Sequence, residues 1–321
     1  MRRREFIAGL GGAAAWSLAS SAQQAAPVIG YLSGRSANWD APLRTPFLKV
    51  LEGAGFIVGQ NIAIDYRFSE GRNDRLPVLA AELVQRQVTI LVATDLPSAL
   101  AAKAATNTIP LVFASGEDPV QSGLVQSFNS PGGNATGINS VNNHLGPKRL
   151  DLLRQIMPKP GLIAFVVHPN STATPHQLQE MKEAARVLGQ PLLVLNAGTE
   201  IEAEDAFATM SREKVVALVF GASVFYQVIA DQLIALAARH GIPALYEWRE
   251  FVVAGGLMSY NANRTESGRQ VGAYAAQILK GPSRAICRWC NLQALSSYST
   301  SGPPVRLALQ CRLCFSLLPT K

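Results

Sequence analysis

From Pro27 onward, short apolar runs alternate with longer stretches in which apolar residues recur every three to four positions. The runs VIGYL (28–32), IAIDYRF (62–68), TILVA (89–93), PLVFA (110–114) and GINSV (137–141) predict strands in the first half. LIAFVV (162–167), PLLVLN (191–196), VVALVF (215–220), PALYE (243–247) and GLMSY (256–260) predict strands in the second. Between them the period changes. Leu178, Met181, Ala185 and Leu188 share one face of a helix that Gly189 can cap, and Ile229, Leu233, Leu236 and Ala237 form a stripe that stops at Gly241. Near-continuous apolar strands are buried on both faces, and strand–helix alternation implies parallel sheets. One segment breaks the rhythm: SFNSPGGNATGINSVNN (127–143), rich in Gly, Asn and Ser, reads as a crossing between two α/β lobes.

Charge divides the chain unevenly. The 29 basic and 22 acidic residues give +7 overall. Residues 1–22 hold three Arg and one Glu, residues 282–321 hold four Arg and one Lys with no acid, and 23–281 hold 21 of each sign. A neutral body carries no electrostatic case for a nucleic-acid partner. All four cysteines also lie in the last forty residues, so the tail differs in kind from the body.

The opening MRRREFIAGLGGAAAWSLASSAQQAAP has a basic start, an apolar run from Phe6 to Leu18 and small residues Ser20 and Ala22 placed for cleavage after Ala22. That is a signal peptide, and Arg3-Arg4-Glu5-Phe6-Ile7 fits the twin-arginine form, with an ordinary Sec signal as the alternative. The expected mature protein is exported and periplasmic.

Motifs of catalysis are absent from the sequence: no P-loop, no G-x-S-x-G, no H-E-x-x-H, and the Gly9–Gly12 cluster lies inside the leader. The four histidines are scattered; His168, ending a strand, reads as either a ligand contact or a loop residue. The expectation is a protein that is not an enzyme and needs neither a cofactor nor a metal.

Several segments together resemble a known family. They are MRRREFI, VIGYLSG, GAGFIVGQNIAIDYRFSEGRNDRLPVLAAELV, DLPSALAAKAATNTIPLVFASGEDPV, SPGGNATGI, PLLVLNAG, LAARHGIPALYEWREFVVAGGLMSY and GRQVGAYAAQILKG. They look like the periplasmic substrate-binding components of ABC transporters, with the resemblance running from residue 1 to about 281. It implies a type I periplasmic binding fold: two α/β lobes, each a parallel sheet flanked by helices, with a ligand cleft between. The expected division is 27–135 for the first lobe, 136–260 for the second and 261–281 for a helix returning toward the first. The implied partners are a small-molecule ligand, polar or amino-acid-like, and a permease in the inner membrane.

In open α/β sheets ligands sit at the carboxyl ends of the strands. Those ends, with the helix starts beside them, nominate Ser33, Thr94, Ser98, Ser115, Asp118, Asn170 and Glu247 as ligand contacts. Ser98 opens a helix, where free N–H groups favour an anion. Ser98 and Asp118 read equally well as helix caps. The family often carries Gly-Gly where this chain has Thr94-Asp95-Leu96, a departure from the family pattern at a strand end.

The tail poses its own problem. CRWC (287–290) and CRLC (311–314) read together as C-x2-C-x20-C-x2-C, the spacing of a zinc ribbon. The family does not end this way. If one base was lost just after the codon for Gly281, Cys and Trp codons, which begin TG, restore to Leu, Met or Val. Arg codons of the CGN type restore to Ser, Pro, Thr or Ala. CRWC then restores to a pattern that LPVV satisfies and CRLC to one that MPPM satisfies. Between them the restored frame carries a strand and an amphipathic helix like those of the family. The favoured reading is an aberrant, out-of-frame tail with no metal site. A truncated product without function, a periplasmic enzyme and a zinc-ribbon interaction protein remain as alternatives, separable by ligand binding, turnover and metal content.

Overall fold

The computed structural model describes residues 26–140, 145–157 and 161–281. The expected leader (1–22), the expected tail (282–321) and the four cysteines lie outside the described residues. Two five-stranded sheets, parallel throughout, organise the rest.

The first sheet has the order β2-β1-β3-β4-β5, with β1 Val28–Ser33, β2 Ala63–Phe68, β3 Ile90–Ala93, β4 Leu111–Ser115 and β5 Ala135–Asn139. Strand side chains alternate between faces, so the sheet feeds two cores. Ile29, Tyr31, Ile90, Val92 and Val112 meet α1 (Ala37–Gly53) and α10 (Arg264–Leu279). Leu32, Leu91, Ala93 and Phe113 meet α2 (Leu76–Gln85) and α3 (Leu96–Ala105). Fully burying one such Leu or Phe contributes roughly 1.5–3 kcal/mol.

The second sheet has the order β10-β9-β8-β6-β7, from β6 Ile163–Val167, β7 Leu192–Asn196, β8 Ala217–Phe220, β9 Ala244–Tyr246 and β10 Met258–Ser259. Ile163, Phe165 and Val167 pack under α4 (Gly146–Ile156) and α5 (Thr174–Leu188). Ala164, Val166, Leu218 and Phe220 pack under α6 (Glu200–Arg212), α7 (Val224–Val228) and α8 (Ala230–His240). A short α9, Arg249–Val253, joins β9 to β10. Helices α5 and α8 stop where the sequence places glycine: Gly189 and Gly241 adopt left-handed φ of 60° and 64°, a conformation that costs glycine little.

Two details depart from the sequence reading. A division after residue 135 would cut β5, which pairs with β4 from Ala135 to Asn139. This strand also begins two residues before the apolar run GINSV, because the Asn134 side chain bonds the Thr106 and Ile109 carbonyls at 3.1 and 2.7 Å and delivers Ala135 opposite Leu111.

After β10 the chain returns to the first lobe as α10, which lies along α1. Gly268 and Gly272 make that approach possible: a Cβ at Gly268 would overlap the Leu43 carbonyl oxygen, and one at Gly272 would press on the Phe47 carbonyl. The two sheets present the carboxyl ends of their strands to each other, and a cavity lies there.

Candidate functional site

A cavity of about 680 Å³ lies between the lobes, lined from both. The first-lobe wall is built on an aspartate. Asp40, in the first turn of α1, is completely buried, and accepts hydrogen bonds from the Tyr31 hydroxyl at 2.5 Å and Ser33 Oγ at 3.1 Å. Thr94 Oγ1 lies 3.0 Å from the same carboxylate and 2.8 Å from Ser33 Oγ. Burial, then the Asp40 charge, push the Tyr31 hydroxyl well above its ordinary pKa, so it stays a donor.

Arg35 lies above this network. Its Nη1 donates to the Thr94 carbonyl at 2.8 Å and ion-pairs with Asp95 at 3.4 Å. Asp95 is itself the cap of α3, accepting from Ser98 N at 2.9 Å, and its second oxygen accepts from Gly34 N at 2.7 Å. The Arg35 side chain then crosses the cleft. Its Nε donates to Oε1 of Gln227, on α7 of the second lobe, at 2.8 Å. Arg264, at the start of α10, reaches the same oxygen at 3.4 Å. At the rim, Thr172 Oγ1 donates to Glu117 across the gap at 3.1 Å. Gly71, held at φ 82°, brings the loop after β2 against Val228: a Cβ there would sit 3.0 Å from Val228 Cγ2.

The second-lobe wall is more apolar. His168 follows β6 and meets Phe225 edge-on with centroids 5.3 Å apart. Partial burial lowers the His168 pKa, favouring the neutral ring, and its Nδ1 has no hydrogen-bond partner among the described residues. Trp248 follows β9, with the Arg264 guanidinium 4.6 Å above its ring. Burial, then neighbouring Arg35, pulls Arg264 down to about 10, so it remains charged at neutral pH. Glu247, between β9 and Trp248, is only 6% exposed. The Asn261 amide donates to its Oε1 at 3.3 Å, and none of the ion pairs among the described residues includes it. Desolvation raises its pKa against the opposing pull of Arg149, Arg35 and Arg264.

The seven nominated residues therefore separate. Thr94, Ser115, Asn170 and Glu247 line the cavity. Ser33, Ser98 and Asp118 do not. Ser33 and Ser98 are fully buried, the first bonded to Asp40 and the second closing a reciprocal cap with Asp95. Asp118 accepts from Val120 N and Gln121 N at 2.8 and 3.1 Å, an N-cap-like turn. Sequence reasoning missed Arg35, Gln227, Trp248 and Arg264. Arg35 lies two residues past the nominated Ser33, and Trp248 follows Glu247, so reading slightly further past each strand end would have found them.

Comparison with known proteins decides the family. The family model described as ABC transporter substrate binding protein matches residues 41–286. The chain belongs to this family. Its members bind solutes for transport and are not catalysts, and they act outside the cytoplasm. A tyrosine-binding protein of Clostridioides difficile (strain R20291) is 27% identical over 246 residues, covering 74% of this chain and 68% of its own. Among solved structures, a conserved domain protein of Vibrio cholerae O1 biovar El Tor superposes with a TM-score of 0.74 at 23% identity, over 82% of this chain and 88% of its own. An ABC domain from Streptococcus pneumonia, solved in complex with L-Trp, gives 0.73 at 22%, with the same coverage. These structures carry the two-lobed fold of parallel sheets flanked by helices.

Proposed function

We propose that this chain captures an amino acid with an aromatic side chain in the interlobe cleft and delivers it to a membrane permease. The observation that supports this most is Glu247. A carboxylate so deeply buried, with no cation in ion-pairing range among the described residues, suits the ammonium group of a ligand. Arg35 and Arg264, beside their carboxylate partners Asp95 and Glu250, converge on one neutral acceptor, Gln227 Oε1, and their remaining donors suit a ligand carboxylate. Phe225, Trp248 and His168 supply flat faces for a ring. The tyrosine-binding relative and the L-Trp complex point to the same class of ligand. Thr94, Ser115 and Asn170 complete the proposed contacts.

The test is a melting-temperature screen of the purified chain against the common amino acids. A ligand that binds only the folded state at 100 times its Kd stabilises by about 2.7 kcal/mol. Tyrosine, tryptophan or phenylalanine should raise the melting temperature, and a response confined to sugars or cations would overturn the proposal.

We also infer a cleaved leader ending near Ala22, exported by the twin-arginine route, and a tail that leaves its reading frame after Gly281. The family match stops at residue 286, close to that point. N-terminal sequencing of the exported protein should begin at or near Gln23. Resequencing the gene at the Gly281 codon should recover the missing base, and the purified chain should hold far less than one zinc. A single tightly bound zinc on the four cysteines would overturn the frameshift.

A further inference from the structure

Arg149 is the most deeply buried cation of the second lobe, and the cleft does not account for it. It lies in the first turns of α4, is 2% exposed, and does not line the cavity. Its Nε donates to the Tyr260 carbonyl at 2.9 Å, while its Nη2 is buried without a hydrogen-bond partner among the described residues. A buried guanidinium with unmet donors is costly unless its charge is used.

The hydrogen bonds around it lead to the cleft. Tyr260 begins the segment that carries the chain back to the first lobe, and its N–H bonds the Tyr246 carbonyl, the residue before Glu247. Asn261, the next residue, bonds the Glu247 carboxylate. Arg149 thus holds one end of a short clamp whose other end holds Glu247. The charges that act on Glu247 come from three elements: Arg149 from α4, Arg35 from the loop after β1, and Arg264 from the start of α10. Arg35 and Arg264 are also engaged by Asp95, Gln227 and Glu250. Arg149 forms no ion pair among the described residues, and Glu247 is the carboxylate whose charge acts on it.

We propose that Arg149 is a positioning residue for ligand recognition: its charge behind Glu247, and its hold on the Tyr260 carbonyl, keep the Glu247 carboxylate charged and fixed on the cleft wall to receive the ligand's ammonium group. This rests on the cleft reading above. Arg149 touches no ligand and acts through Glu247. Binding then requires ionised Glu247, so affinity falls as pH drops through the value of that carboxyl. Without Arg149, desolvation acts with less opposition and the carboxyl titrates higher.

The test is the pH dependence of Kd for L-tyrosine and L-tryptophan, measured calorimetrically over about pH 5 to 7, where the ligand ammonium stays charged. In R149M the midpoint of the acid-side loss should move up by about one pH unit or more. R149K, which keeps the charge, should leave the midpoint in place, and E247Q should bind weakly at every pH with no midpoint. A uniform loss in R149M, with the midpoint unmoved, would assign Arg149 a merely structural role and overturn the inference while leaving the cleft reading intact. E247Q binding like the parent would instead overturn the cleft reading itself. If R149M does not fold, the R149M/E247Q double variant decides: it should fold, because the buried carboxylate no longer needs its cation. A double variant that stays unfolded overturns the inference.

Discussion

The two walls of the cleft are built from similar residue types and spend them differently. On the first lobe, Asp40, Tyr31, Ser33, Thr94, Asp95 and Ser98 all have partners within the same wall. On the second lobe, among the described residues, Glu247 has an amide but no ion pair, and His168 Nδ1 has no hydrogen-bond partner. One wall is complete before any ligand arrives; the other leaves a carboxylate and aromatic faces to be met from the cavity. Polar groups that satisfy one another make a rigid scaffold, and those left over are where recognition is expected. Gln227 is the hinge between the two states of affairs, because it is the second-lobe residue that the first-lobe arginine already holds.

The contrast can be broken at each point, and the largest effect should come from the first wall. Asp40→Ala removes the shared acceptor of two hydroxyls and the tyrosine, and should cost roughly 3–5 kcal/mol of stability in urea unfolding. Glu247→Gln should act mainly on recognition. Affinity for an aromatic amino acid should fall about 100-fold, the scale for truncating one partner of a buried charge pair. The raised carboxyl pKa of Glu247 favours the fold fully below its unfolded value of about 4.3, and that contribution is lost as pH rises through the folded value. The Gln variant lacks this pH dependence but leaves buried Arg149 without its anion, so its ligand-free melting temperature should fall and should vary less with pH than the parent's. Gln227→Ala should open the cleft, seen as a larger radius of gyration by X-ray scattering, and weaken binding about tenfold. The smallest effect should come from Ser98→Ala: about 1 kcal/mol of stability, the scale of a lost helix cap, with affinity unchanged. A loss of affinity there would return Ser98 to the list of ligand contacts.

Most strands were legible because they are buried on both faces and read as unbroken apolar runs, as in TILVA and VVALVF. The start of β5 was not, since Asn134 sets it through bonds to a distant turn that no local pattern reveals. The site was half legible for a related reason. The strand-end rule finds Thr94, Ser115, Asn170 and Glu247 because topology alone brings them to the cleft. It cannot tell that Ser33 and Ser98 turn inward, because which hydroxyl is consumed by a neighbour is decided by packing. Arg35 escaped for the opposite reason, because its long side chain projects from a position just past a strand end, and Gln227 escaped because it lies on α7 and not at a strand end. Arg264 opens a helix that belongs to the first lobe only after the chain has crossed the second, and Gly268 and Gly272 signal that contact more clearly than the arginine does.

The most direct test of an ammonium held by Glu247 is a calorimetric comparison of L-tyrosine and L-tryptophan with their N-acetyl derivatives, on the full mature chain at pH 7. Acetylation removes the positive charge and leaves the ring and carboxylate untouched. The parent amino acid should bind saturably at one site per chain, and its N-acetyl form should lose about 100-fold in affinity or more. Equal binding of the two forms, or of neither, would contradict the assignment of Glu247 and with it the division of labour between the two walls.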